Sequence, residues 1–454
     1  MKRSTLLSFI ICILCLSSCN NEETTSILDE PEDIKPKNNE EDILVTYFTL
    51  NGAGYSAYEK NWLLIYNQNG ELLDYQQYNA GDSITFETEE SKLNNTTSLT
   101  ITTLRYNGDG TSSHFKISTL TDIELQTEWD QKNVPMSNNS TYLNNLSGYN
   151  KTQLSESNKS QNINISINGL LGVERYSLTS KENYIIKSED IFQDTDNITI
   201  NNVLLSTDIE YLLSIEDGEG VLKYYKFSPQ ENSNSINISW DNFLDYDEIL
   251  TVSLPDHNFL HASVAAYETE TFADTPLLLT NQSSGGPLDS LARFGYIDSY
   301  PSFDTYFTIR ISENYEYGYE ELGSIPKTIS ILEKPELIFK NTTLEGFEFH
   351  TDITYLSQIN SWGYVKVIPD ISINDVSWVI QQPFGSNSKI GAIPQEILEQ
   401  YPSLDLKNLT FKSTTLYLQG KNYQEVLDSS LNSNNVFGNG ALKYEWLIFY
   451  NSKS

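Results

Sequence analysis

The sequence predicts an all-β protein built as tandem antiparallel sandwiches. Composition points there first. The 454 residues include only 2 methionines against 29 tyrosines, and asparagine, serine and threonine are plentiful, a balance that favours strands and turns over helices. Short apolar or alternating runs then recur along the chain, each of strand length. Asn-Gly and Gly-rich turn signals separate many of them, as in Trp62-Leu63-Leu64-Ile65-Tyr66, Asn67-Gln68-Asn69-Gly70, Glu71-Leu72-Leu73-Asp74-Tyr75.

The N-terminus has a different character. Lys2 and Arg3 precede an apolar run from Leu6 to Leu16, which has the length of a signal-peptide core and is too short to span a bilayer. It ends in Leu16-Ser17-Ser18-Cys19, which resembles a bacterial lipobox. That resemblance implies a signal peptide over 1–18 and a diacylglyceryl group on the thiol of Cys19, a stable anchor where a single acyl chain is marginal. The only other cysteines, Cys12 and Cys15, lie inside the signal, so the mature chain is expected to lack disulfides, cysteine catalysis and thiolate metal sites.

Residues 19–42 are acidic, polar and interrupted by Pro31 and Pro36, and read as an extended tether. Glu22 and Glu23 resemble the export signal of Bacteroidetes lipoproteins. This implies an outer-membrane protein held by its N-terminal lipid and facing the exterior; a plain spacer facing the periplasm is the alternative.

The next hairpin, Ser98–Tyr106 and Ser113–Leu120 around Asn107-Gly108-Asp109-Gly110, completes a sandwich expected over 43–136. Residues 137–162 are Asn- and Ser-rich without apolar periodicity and read as a linker or loop. A second sandwich is expected over 163–269. Its "YLLSIEDGEGVLKYYKF" from Tyr211 matches "WLLIYNQNGELLDYQQY" from Trp62, with the extra residue placed in the second turn, and "SINI" and "ILTVSL" follow as "SITF" and "SLTITTL" do. A third, C-terminal sandwich is expected over 270–454, where further strand-like runs occur, the last being "KYEWLIFY" from Lys443. Only Pro394–Tyr401 reads as a helix, with proline at its start and Pro402 beyond it.

A net charge of −34 argues against nucleic acid as a partner. No nucleophile elbow, zinc-protease motif, phosphate loop or EF-hand occurs in the chain. His257 and His261 stand four apart but lack a third ligand, so no metal or other cofactor is expected. Asp194 with Asp196, and Asp241, Asp245 and Asp247, read as turn residues, with calcium binding as the sharper alternative. Among the tryptophans, Trp129, Trp240, Trp362 and Trp378 are candidates for core packing or for stacking on sugar rings, and Trp362 with Trp378 is the pair chosen as a ligand platform. Asp82-Ser83-Ile84 and Asp289-Ser290-Leu291 are similar to the Bacteroidetes O-glycosylation sequon, which would modify Ser83 and Ser290.

The whole chain resembles the tandem β-sandwich surface lipoproteins of Bacteroidetes, with the specific likeness confined to Leu16–Glu23. The resemblance implies a non-catalytic binding or adhesion role toward a polysaccharide or surface protein, glycan capture being its sharper form. A surface-exposed, carboxylate-dependent hydrolase acting on polysaccharide is the alternative.

Overall fold

The computed structural model describes residues 43–52, 60–79, 81–108, 112–130, 160–181, 184–270, 272, 274–284, 290–368, 371–386, 389–420, 422–431 and 442–451. Cys19, the tether and residues 137–159 of the expected linker lie outside them. Residues 43–454 form one compact unit, and its described part is predominantly strand.

The first strands are β1 (Leu44–Asn51), β2 (Lys60–Asn67), β3 (Leu72–Tyr78), β4 (Ile84–Glu89), β5 (Leu99–Gly108), β6 (Ser112–Ile123) and β7 (Thr127–Asp130). A three-stranded sheet β4-β1-β7 packs on the antiparallel strands β6-β5-β2-β3. Alternation sends Leu63 and Ile65 into the core between them, with Phe48, Leu50, Leu99 and Ile101, while Leu64 and Tyr66 point the other way. The β2–β3 turn follows its sequence signal. The Asn67 side-chain oxygen accepts from the N–H groups of Asn69 (2.9 Å) and Glu71 (3.1 Å), and Gly70 takes φ +78°.

The middle region holds β8 (Ser160–Asn168), β9 (Val173–Ser180), β10 (Tyr184–Gln193), β11 (Asn197–Ser206), β12 (Tyr211–Asp217), β13 (Leu222–Phe227), β14 (Ser235–Ser239) and β15 (Leu244–Asp245). Sheets β11-β8-β14 and β10-β9-β12-β13-β15 enclose a core that includes Ile165, Leu178, Leu213 and Trp240. Its β12–β13 turn repeats the first one. The Asp217 carboxylate accepts from Glu219 N (3.0 Å) and Val221 N (2.8 Å), and Gly220 takes φ +76°. The two turns are therefore of equal length. Asn67 corresponds to Asp217 and Trp62 to Leu212, so the extra residue expected in the second turn lies outside it.

The remaining strands are β16 (Glu248–Ser253), β17 (Phe259–Tyr267), β18 (Leu277–Ser284), β19 (Leu291–Tyr296), β20 (Ser302–Ser312), β21 (Tyr315–Gly323), β22 (Leu337–Asn341), β23 (Glu348–Thr351), β24 (Ser357–Ile368), β25 (Ile371–Pro383), β26 (Thr410–Gln419) and β27 (Leu442–Tyr450). Most of them join the first region in one twelve-stranded sheet of order β18-β17-β20-β21-β27-β26-β24-β25-β6-β5-β2-β3. The seam is the parallel pair β25–β6, from Ile373↔Ser112 to Gln381↔Leu120. First and last regions thus share a sheet, and the expected boundary at 269/270 falls within the β17–β18 hairpin. Strand β27 lies inside this sheet, between β21 and β26, as its apolar run suggests.

Helix α1 (Gln395–Gln400) stands where the sequence places it. Helix α2 (Tyr423–Leu431) is an addition to the single expected helix. Tyr423, Leu427 and Leu431 recur every four residues and are buried in the first core, so the late helix closes the early sandwich. Between the middle sandwich and β19, the Glu216 carboxylate is buried against Arg175 (3.0 Å from Nε) and also meets Arg293. Breaking such a buried cluster by removing one partner costs about 3–5 kcal/mol.

Candidate functional site

The twelve-stranded sheet has two unlike faces over β17, β20, β21, β27 and β26. Period-two alternation turns Leu260, Val264, Phe307, Tyr317 and Leu447 into the large apolar core. The intervening residues form the opposite face, which is largely polar or aromatic, with Ala265, Leu322 and Ile448 as apolar members. Strand register arranges them in rows. Ser263, Tyr306, Glu320 and Tyr444 lie opposite one another across four strands. The next row runs His261, Thr308, Gly318, Trp446, Tyr417.

Gly318 shapes this face. A Cβ at this position would collide with the indole of Trp446, which lies across the gap that glycine leaves. The Trp446 ring centroid is 5.9 Å from Tyr306 and 6.5 Å from Tyr417, and His261 is 5.6 Å from Tyr306. Trp446, Tyr417 and Tyr444 are half-buried, whereas His261, Ser263, Asp304 and Tyr306 are buried. The result is a partly open aromatic ridge over a polar floor.

The floor is incompletely satisfied. His261 Nε2, Ser263 Oγ and Asp304 Oδ1 are buried with no hydrogen-bond partner among the described residues. Burial pushes the Asp304 carboxyl up to about 7. The Glu320 carboxyl, diagonal to it on the next strand, is held well above its ordinary range by burial and by the Asp304 charge. Burial lowers His261 to about 4, so its imidazole is neutral at neutral pH. One end is fixed by a closed network. Arg310 Nη2 and the Tyr450 hydroxyl donate to Glu316 Oε2 at 3.0 and 2.9 Å, and Thr308 donates to Glu316 Oε1 at 2.9 Å.

Trp362 and Trp378, the expected platform, are brought together, but in a core. They are paired directly across β24 and β25, at 2% and 1% exposure. A single row explains this: Phe411, Trp362, Trp378, Ile117, Leu104 and Trp62 succeed one another over six strands. Ile393, Ile397, Tyr401 and Leu404, in and around α1, belong to the same apolar cluster. The Trp362 indole N–H donates to Thr342 O and that of Trp378 to Thr119 Oγ1, both at 2.9 Å. Neither ring is available to stack on a sugar, so that expectation is corrected. Trp129 and Trp240 are likewise buried.

His257 is buried with Nδ1 3.0 Å from Pro255 O. Asp245 pairs with Lys223 at 3.2 Å, Asp247 accepts from Asp298 N, and Asp196 accepts from Asn197. Among the described residues no group of three or more such side chains is placed to hold a metal ion. Ser83 and Ser290 are both exposed. The sequence reading missed Trp446 and Gly318. The available signal was "YEYGYEE" (315–321), where alternation sets a glycine between Glu316 and Glu320 on one face.

No known family model and no curated protein matches this chain.

Proposed function

We propose that the protein is a lipid-anchored, non-catalytic cell-surface binding protein whose aromatic–carboxylate face captures a glycan. The observation that carries this is the Trp446 indole seated across Gly318 and 5.9 Å from Tyr306, on the same sheet face as the unpartnered polar atoms of His261, Ser263 and Asp304. Sugars present C–H faces that stack on aromatic rings and hydroxyls that need donors and acceptors. Half-buried Trp446, Tyr417 and Tyr444 supply the first. The part-exposed Arg310 guanidinium and Tyr450 hydroxyl at one end of the same face supply the second. The anchor at Cys19 and an outward-facing outer-membrane location rest on the signal-like N-terminus, and Ser83 and Ser290 remain candidate glycosylation sites on exposed backbone.

The Asp304–Glu320 pair favours a second reading, a polysaccharide hydrolase in which one carboxyl donates a proton. A polysaccharide array followed by a reducing-end assay separates the two. The binding reading expects retention of a glycan without new reducing ends, with at least about tenfold weaker retention by Trp446→Ala. Release of reducing ends that Asp304→Asn abolishes would establish the hydrolase instead.

A further inference from the structure

A second feature lies on the other side of the apolar core. Strand β16 pairs with β19 and, among the described residues, with no other strand. Leu254 N bonds to Ser290 O at 2.9 Å, which sets the alternation of the antiparallel pair. Leu250 and Val252 therefore bond toward β19, while the N–H and C=O groups of Ile249, Thr251 and Ser253 point to the open edge. Across a groove from that edge runs segment 328–334, which has no regular secondary structure. Among the described residues none of its main-chain N–H groups has a hydrogen-bond acceptor. It is held by its carbonyl and side chains instead: the Tyr315 hydroxyl donates to Leu332 O (3.0 Å), and Lys334 Nζ to Asn314 Oδ1 (2.9 Å).

A groove of about 700 Å³ separates the two edges. Its apolar lining, Leu250, Val252, Ile311, Ile329 and Ile331, is continuous with the large core. Its walls carry hydroxyls of Thr251, Ser253, Thr328 and Ser330, and its two charges, Glu333 and Lys334, offset each other. The six residues of β16 offer an edge about 20 Å long.

We propose that this groove accepts an extended polypeptide segment from another protein, added as a strand between β16 and residues 328–334. Such a segment satisfies unpaired main-chain groups on both walls at once, which a helix cannot do because its main-chain bonds are internal. The neutral, hydroxyl-bearing walls and apolar floor select an uncharged strand with apolar residues at alternate positions, one face completing the core. An open edge of this kind is otherwise an aggregation hazard that folds cover or charge.

The test uses full-length protein and a blocked peptide of alternating valine and threonine, flanked by lysines for solubility. A companion peptide carries N-methyl groups at every second residue, which keeps the side chains but removes one edge of donors. Binding of the first peptide should slow hydrogen exchange at Ile249, Thr251, Ser253 and 328–334, and the methylated peptide should bind at least about tenfold more weakly. Thr251→Pro removes only an outward N–H, leaves the β16–β19 bonds intact, and should weaken binding with an unchanged circular dichroism spectrum. Equal binding of both peptides would overturn the proposal, as would slow exchange of these amides in the protein alone. Concentration-dependent dimerisation that protects the same amides would also overturn it, by making a second copy the occupant.

Discussion

Replacing Asp304 with asparagine should make the protein progressively more stable than wild type as pH rises from 4 to 7.5. Asp304 ionises near 3.8 in the unfolded chain and near 7 in the fold, because burial disfavours its charge. Well below pH 3.8 both states hold the proton and the residue contributes nothing. Between the two values the unfolded chain gives up its proton while the fold keeps it, so stability falls as pH rises. The full loss, on the order of 4 kcal/mol, is reached above pH 7. His261 acts in the opposite sense. Lowered by burial from 6.5 to about 4, it costs stability as pH falls through that range. The two slopes oppose each other between about pH 4 and 6.5, so the wild-type profile alone is a poor test. The difference between Asp304→Asn and wild type removes the histidine from the comparison. Urea unfolding at half-unit pH steps should show that difference widening with pH by several kcal/mol. Glu320, still buried, should leave the single variant with a residual slope that Asp304→Asn/Glu320→Gln removes. A difference that stays constant across the range would refute the buried-carboxylate argument.

Three other outcomes follow from the same geometry and from the N-terminus. Gly318→Val drives the Trp446 indole off the sheet, at a cost of about 1–3 kcal/mol for overpacking, and should change its fluorescence and weaken glycan retention. Trp378→Phe leaves Thr119 without its indole donor and should lower stability by about 1–3 kcal/mol, measured by urea unfolding, without affecting retention. Cys19→Ala should abolish lipid labelling and release the protein from the membrane fraction; membrane retention of the variant would count against the anchor.

The sequence made the local structure legible where side chains themselves enforce it. Asn67 and Asp217 close their turns through their own oxygens, and Gly70 and Gly220 supply the positive φ, so both hairpins were legible as hairpins, although their mutual alignment was off by one residue at the second turn. Helix α2 carried a readable signal that went unused. Asn422 and Glu425 cap each other, each side chain accepting from the other's N–H at 3.0 and 2.8 Å. The seam between β25 and β6 was not readable, because no turn connects strands some 260 residues apart and their register depends on burial on both faces. For the same reason Trp362 and Trp378 looked like candidates for an exposed platform. Their burial depends on Ile117 and Leu104 from the other end of the chain and on the segment around α1. The unlike faces of β20 and β21 were written in their alternation, but which face met a core was decided by partners far away in sequence.

The central claim is that the glycan meets Trp446 and not the buried tryptophans, and fluorine NMR of 5-fluorotryptophan protein addresses it directly. All six tryptophans lie among the described residues, so six resonances can be assigned by single substitutions to phenylalanine. Titration with a polysaccharide that the protein retains should shift the Trp446 resonance and leave those of Trp362 and Trp378 in place. Saturable binding that leaves Trp446 unmoved would contradict the account.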